Sequence, residues 1–86
     1  MPIRIDPHAA ARAEERGAST EEIQATIETG ASIPAGRGRT GRAKVFPFGK
    51  KWLGRPYDQK RVEAVYATEG DDIIVVTVYV FYGKWE

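Results

Sequence analysis

Eighty-six residues, 42% of them hydrophobic, are enough for one core and one small domain spanning residues 1–86. With no cysteine and a single histidine, His8, the composition excludes a disulfide framework and a thiolate metal site and leaves no set of zinc ligands, so neither a metal nor a cofactor is expected. The net charge of +1 hides an asymmetry: residues 34–61 carry nine Lys/Arg against one acid, a local excess of +8, and the flanking thirds are acidic.

No apolar stretch reaches the roughly 20 residues of a membrane helix, and the N-terminus lacks a secretory pattern, so the expectation is a cytoplasmic protein without a membrane partner. Concentrating one sign of charge in the middle of a near-neutral chain suggests contact with a polyanion.

Ile3-Arg4-Ile5 reads as a short lead-in strand. Asp6-Pro7 then opens a helix: the carboxylate can cap free N–H groups, and proline fits the first turn. The helix is expected to run to Arg16 and stop at Gly17, which tolerates a left-handed C-cap. Ala9, Ala10 and Ala13 give it a thin apolar side, while His8, Arg12 and Arg16, four residues apart, share another. Ser19 and Glu22 form a capping box for a second helix, with Ala18 and Ile23 as its hydrophobic staple. Ile23 and Ile27 face the core, and Gly30 closes the helix.

Residues 31–40 read as loop. The segment Gly36–Arg42 is rich in glycine and arginine. It has glycine spacing like that of a P-loop, but Arg42-Ala43 replaces Lys-Ser/Thr and no strand precedes it. Ala43–Phe48 reads as a strand in which Pro47 implies an edge or a bulge. Lys50–Leu53 could return as a short strand, and residues 54–58 turn the chain.

Lys60–Thr68 and Ile73–Tyr82 form the closing hairpin. The run IIVVTVYVFY, β-branched or aromatic throughout, reads as a central strand. Its even-numbered side chains, Ile74, Val76, Val78 and Val80, make one aliphatic face, expected to be the core. Ile73, Val75, Thr77, Tyr79 and Phe81 make the other face. A three-residue loop, Glu69-Gly70-Asp71, sets Thr68 opposite Asp72. Val62, Ala64 and Tyr66 then lie over Val78, Val76 and Ile74, and Arg61, Glu63 and Val65 lie beside Tyr79, Thr77 and Val75. A one-residue slip would drive Arg61 and Glu63 into the aliphatic layer. The expected fold is α+β, with two N-terminal helices packed on one face of an antiparallel sheet of three or four strands.

The stretch HAAARAEERGASTEEIQATIETG (His8–Gly30) resembles the opening of small prokaryotic domains of unknown function that begin with His, then Arg, then Arg-Gly, a capped second helix and a Gly. The ending KRVEAVY…DDIIVVTVYVFYGKWE is similar to their closing hairpin. The resemblance covers about two thirds of the chain. It implies kinship with the RelE and BrnT toxins, hence with the barnase–colicin–RelE group of metal-independent ribonucleases, and a small antitoxin-like protein as a possible partner.

Metal-free RNA cleavage needs a base for the ribose 2′-hydroxyl, an acid for the leaving oxygen and cations on the phosphate. The candidate catalytic residues are His8, Arg12, Arg61, Glu63, Thr77 and Tyr79. Histidine is the side chain suited to proton transfer near neutral pH. The candidate RNA contacts are Arg16, Arg37, Arg39, Arg42, Lys44, Lys50, Lys51 and Lys60, interleaved with Phe46, Phe48, Trp52 and Tyr57 as rings for unstacked bases. Each has a plainer reading: His8, Arg12 and Arg16 as a solvated helix face, Arg61 and Glu63 as a cross-strand pair, Thr77 and Tyr79 as ordinary strand formers, and the aromatics as core. If the helices cover the even-numbered face, His8 reaches Thr77 only at a sheet edge, so His8 and the Arg61–Tyr79 patch compete as sites. The leading expectation is a RelE/BrnT-like ribonuclease. The alternatives are an RNA-binding module without catalysis, and a protein-interaction domain that pairs its edge near Ala43–Phe48 with a small partner.

Overall fold

A computed structural model describes residues 2–85; the expected domain limits, Met1 and Glu86, lie outside the described residues. The chain runs β1 (Ile3–Ile5), α1 (Pro7–Arg16), α2 (Thr20–Thr29), β2 (Ala31–Ile33), β3 (Thr40–Trp52), β4 (Arg55–Glu69) and β5 (Asp72–Gly83).

The caps expected from the sequence form. The Asp6 carboxylate accepts from the His8 N–H at 2.9 Å. Ser19 and Glu22 complete the capping box, each side chain accepting from the other's backbone N–H. Gly17 ends α1 in the left-handed region, φ 88°. Gly30 ends α2 in an extended conformation instead. Ala9 and Ala13 are buried as expected, and Ala10 is exposed.

The sheet departs from the expected three or four antiparallel strands. Among the described residues it has five, in the order β1-β5-β4-β3-β2, and it is mixed because β1 lies parallel to β5. The stretch expected to be loop contributes β2, which pairs Ala31–Ile33 with Gly41–Ala43 of β3. Lys50–Trp52, expected as part of a returning strand, instead continues β3, and the turn expected over residues 54–58 is tighter and earlier: Leu53 and Gly54, both at positive φ, join Trp52 directly to Arg55. Positive φ at both central residues is the signature of a turn whose twist matches a hairpin. The proline in β3 meets its expectation, with an irregularity in the ladder between Pro47 and Lys50.

The closing hairpin corrects the expected register. Glu69 faces Asp72 across a two-residue loop, and a β-bulge at Val76 shifts the pairing again, so that Val65 faces Thr77 and Tyr66 faces Val75. Beyond the bulge Glu63 faces Tyr79 and Arg61 faces Phe81. The extra residue reverses the side-chain alternation. Ile73 and Val75 therefore join Val78 in the core, and Ile74 and Val76 do not. From Thr77 onward the expected parity holds, and Arg61, Glu63, Thr77 and Tyr79 share the sheet face away from the helices.

Ala9 and Ala13 of α1, Ala18, and Ile23 and Ile27 of α2 meet Val62, Ala64, Tyr66, Ile73, Val75 and Val78 in one core on one sheet face. The end of α1 is tied down by polar contacts. The Tyr82 hydroxyl donates to the Arg16 carbonyl at 2.7 Å, and the Lys60 ammonium donates to the Gly17 carbonyl at 2.7 Å. Lys60 is only 7% exposed, and its second partner is the Glu22 carboxylate at 2.8 Å. Tyr82 stacks on Trp52 with ring centroids 4.8 Å apart and touches Phe48 and Tyr57. Burial, then the Glu22 charge, pushes the Tyr82 phenol above its ordinary value, so it remains a donor.

Burial alone would raise the Glu22 carboxyl, but the Lys60 hydrogen bond, the Ser19 contacts and the Lys60 charge outweigh it and hold the group below its ordinary value. A depressed carboxylate stabilises fully above its unfolded pKa and loses that contribution as pH falls through its folded value. Glu22→Gln is expected to cost about 3 kcal/mol at neutral pH, because it strands a buried ammonium. It should also flatten the loss of stability below about pH 4.5. Urea melts of both proteins across the acid range check this.

Candidate functional site

β1 ends where Asp6-Pro7 begins α1, so it covers β5 only over Ile73–Val75. Among the described residues the backbone of β5 beyond Val75 is a sheet edge, and α1 runs alongside it. Arg16 closes part of that edge by donating to the Val78 carbonyl at 2.6 Å. Its guanidinium also lies 5.4 Å from the centroid of the Tyr79 ring.

Because His8, Arg12 and Arg16 occupy successive turns of α1, they line one side of a groove of about 130 Å³. Residues 76–79 of β5, which include Thr77 and Tyr79, form the other side. His8 and half of the patch that competed with it as a site, Thr77 and Tyr79, thus line one groove at the sheet edge. Arg12 is loosely paired with Glu15 at 3.4 Å, both side chains being solvated, so its charge remains available to a ligand. The groove offers an anion the Arg12 guanidinium and that part of Arg16 not bonded to Val78, with His8, Thr77 and Tyr79 among its lining residues.

Arg61 and Glu63 are adjacent to the groove and do not line it. They bond each other, Nε to carboxylate, at 3.0 Å. Glu63 is the cross-strand partner of Tyr79, so the pair borders the groove through that ring.

The cations of the middle third are dispersed. Lys60 is buried against Glu22 and Gly17, so the expectation that it contacts RNA is corrected: it lies on the helix-covered face. Arg42 and Lys44 are also on that face, where they donate to the Gly30 carbonyl and the Thr29 hydroxyl at the end of α2. Cations suit a helix C-terminus, so this use is structural. Arg37 and Arg39 are exposed in the loop before β3, beside β2 and across the sheet from the groove. Lys50 and Lys51 line a separate open concavity of about 570 Å³ with Lys84, Tyr57 and Asp58. Phe48, Trp52 and Tyr57, expected as rings for bases, instead enclose Tyr82, and Phe46 packs against the core.

Sequence reasoning missed two features. The Val78 carbonyl as the anchor of Arg16 has no signal in side-chain types. Phe81, 47% exposed beside Tyr79 at 43%, did have one, in the alternation of β5.

The fold and groove define a small α+β domain with a cationic cleft between its first helix and the edge of its last strand. The chain belongs to the family described as Domain of unknown function (DUF4258), whose sequence model matches residues 5–80. No curated protein and no solved structure matches it.

The two arginines of the groove differ in what they hold. Arg16→Ala is expected to lower stability by about 1.5 kcal/mol, since it removes a charge-assisted bond to a strand carbonyl. Arg12→Ala should change it by less than about 0.5 kcal/mol, as an exposed pair contributes little. Thermal or urea unfolding of the two variants distinguishes them.

Proposed function

We propose that this protein is a metal-independent endoribonuclease of the RelE/BrnT toxin type, cleaving RNA through attack by the ribose 2′-hydroxyl. The observation that carries the reading is the groove in which His8, Arg12 and Arg16 face Thr77 and Tyr79. His8 takes the 2′-hydroxyl proton as the 2′-oxygen bonds to phosphorus. Arg12 and Arg16 balance the charge that builds on the phosphoryl oxygens. The bond from phosphorus to the 5′-oxygen breaks, and the leaving oxygen receives a proton from the Tyr79 hydroxyl. The products are a 2′,3′-cyclic phosphate and a 5′-hydroxyl. Thr77 hydrogen-bonds the phosphate or ribose, and the Arg61–Glu63 pair has a positioning role beside Tyr79.

A second reading has its own observation. β2 covers β3 only at Gly41–Ala43, so among the described residues the outer edge of β3 beyond Ala43 has no strand neighbour. Such an edge can accept a strand from a small antitoxin-like partner, and co-purification with such a protein is its test.

For the ribonuclease reading, RNA is incubated with the protein in EDTA and the ends are analysed. Wild type is expected to leave cyclic phosphate termini, and the His8→Ala, Arg12→Ala double variant to be slower by at least about 10²-fold. Intact RNA with wild type, or equal rates for the two proteins, overturns the reading. RNA that is bound but left intact, with affinity falling steeply in salt, is the signature of a non-catalytic RNA-binding module.

A further inference from the structure

Three large apolar side chains are exposed among the described residues: Leu53, Tyr79 and Phe81. Leu53 sits alone at the turn between β3 and β4. Tyr79 and Phe81 are neighbours on the same face of β5, the face the helices leave open, with Glu63 and Arg61 opposite them on β4. Two residues along a strand set the rings roughly 6.6 Å apart. The row continues at Gly83. There the Trp85 ring lies 3.5 Å from the point where a side chain would begin, and the Trp85 N–H donates to Gln59, the partner of Gly83. Aromatic side chains therefore follow the odd-numbered positions of β5 from the groove toward the chain's end.

We infer that Tyr79 and Phe81 form a base-stacking platform for single-stranded RNA, with Phe81 holding a base next to the one at Tyr79. The inference deepens the proposed function by naming the form of RNA that the site accepts. Charge favours this occupant. The Arg16 guanidinium lies over the Tyr79 ring and Arg12, held only by a solvated contact with Glu15, lines the adjoining groove; Arg61, directly across from Phe81, is balanced by Glu63, so the net positive charge comes from α1. Cations for phosphates beside open rings for bases suit an unpaired strand, whose bases can splay onto a sheet. A duplex keeps its bases stacked and offers the rings nothing. Stacking tolerates any base, so the platform sets a preference for unpaired RNA and not for sequence.

The test separates binding from cleavage. A single-stranded 2′-O-methyl oligoribonucleotide containing 2-aminopurine lacks the attacking hydroxyl and reports stacking by fluorescence quenching. Wild type is expected to quench it, Phe81→Ala to weaken binding about 10-fold or more, and Phe81→Trp to retain it. The same sequence as a duplex should bind far more weakly. Equal affinity of wild type and Phe81→Ala overturns the platform, even where native RNA is cleaved and the ribonuclease reading stands. Phe81-dependent quenching with native RNA left intact upholds the platform and removes the cleavage. A protein that sediments as a dimer, and as a monomer after Phe81→Ala, overturns the inference by assigning the rings to a second copy.

Discussion

The C-terminus of α1 is the joint on which the structure depends. A helix end leaves backbone carbonyls without helical partners, and burying them unsatisfied would be costly. Here the Arg16 carbonyl accepts from Tyr82 and the Gly17 carbonyl accepts from Lys60. Gly17 is required twice over: its φ of 88° disfavours a side chain, and a Cβ would collide with the Tyr82 hydroxyl and press on Trp52. Lys60 is bound in turn by Glu22, so the same contact ties the start of α2 to β4. One joint thus fixes both helices on the sheet and sets the direction in which α1 leaves it.

That direction brings His8, Arg12 and Arg16 to the edge of β5. The strand cooperates through its bulge. With the extra residue at Val76, Val75 and Val78 both point to the helices while Thr77 and Tyr79 remain on the other side. A regular strand would put Val75 and Thr77 on one face. The bulge lets β5 give Val75 and Val78 to the core while Thr77 and Tyr79 stay on the open face beside the groove. Bulges recur beside functional sites for this reason, since they re-aim side chains without ending the strand.

The chain's conspicuous positive middle plays a different part from the one its composition suggests. Three of its cations, Lys60, Arg42 and Lys44, satisfy groups at the ends of the helices. Three of its aromatics build the cage around Tyr82. The cations of the groove come from α1, which belongs to an acidic third of the sequence. Charge summed along a segment is therefore a poor guide to charge displayed on one surface, because neighbouring strand residues point to opposite faces.

Much of this was legible locally. The caps of Asp6, Gly17 and Ser19–Glu22, the apolar spacing of Ile23 and Ile27 and the strand character of β5 all follow from interactions within a few residues. So does the shared helix side of His8, Arg12 and Arg16, a matter of 3.6 residues per turn. What lay beyond the sequence was every relation between distant segments. β1 paired with β5, Ala31–Ile33 became a strand only because Gly41–Ala43 was there to receive it, and Val76 bulged to reconcile two halves of a strand with one core. The meeting of His8 with Thr77 and Tyr79 is of the same kind. Hydrogen-bond pairing and close packing between elements far apart in the chain settle such matters, and residue types read in order carry no record of which neighbour each edge will find.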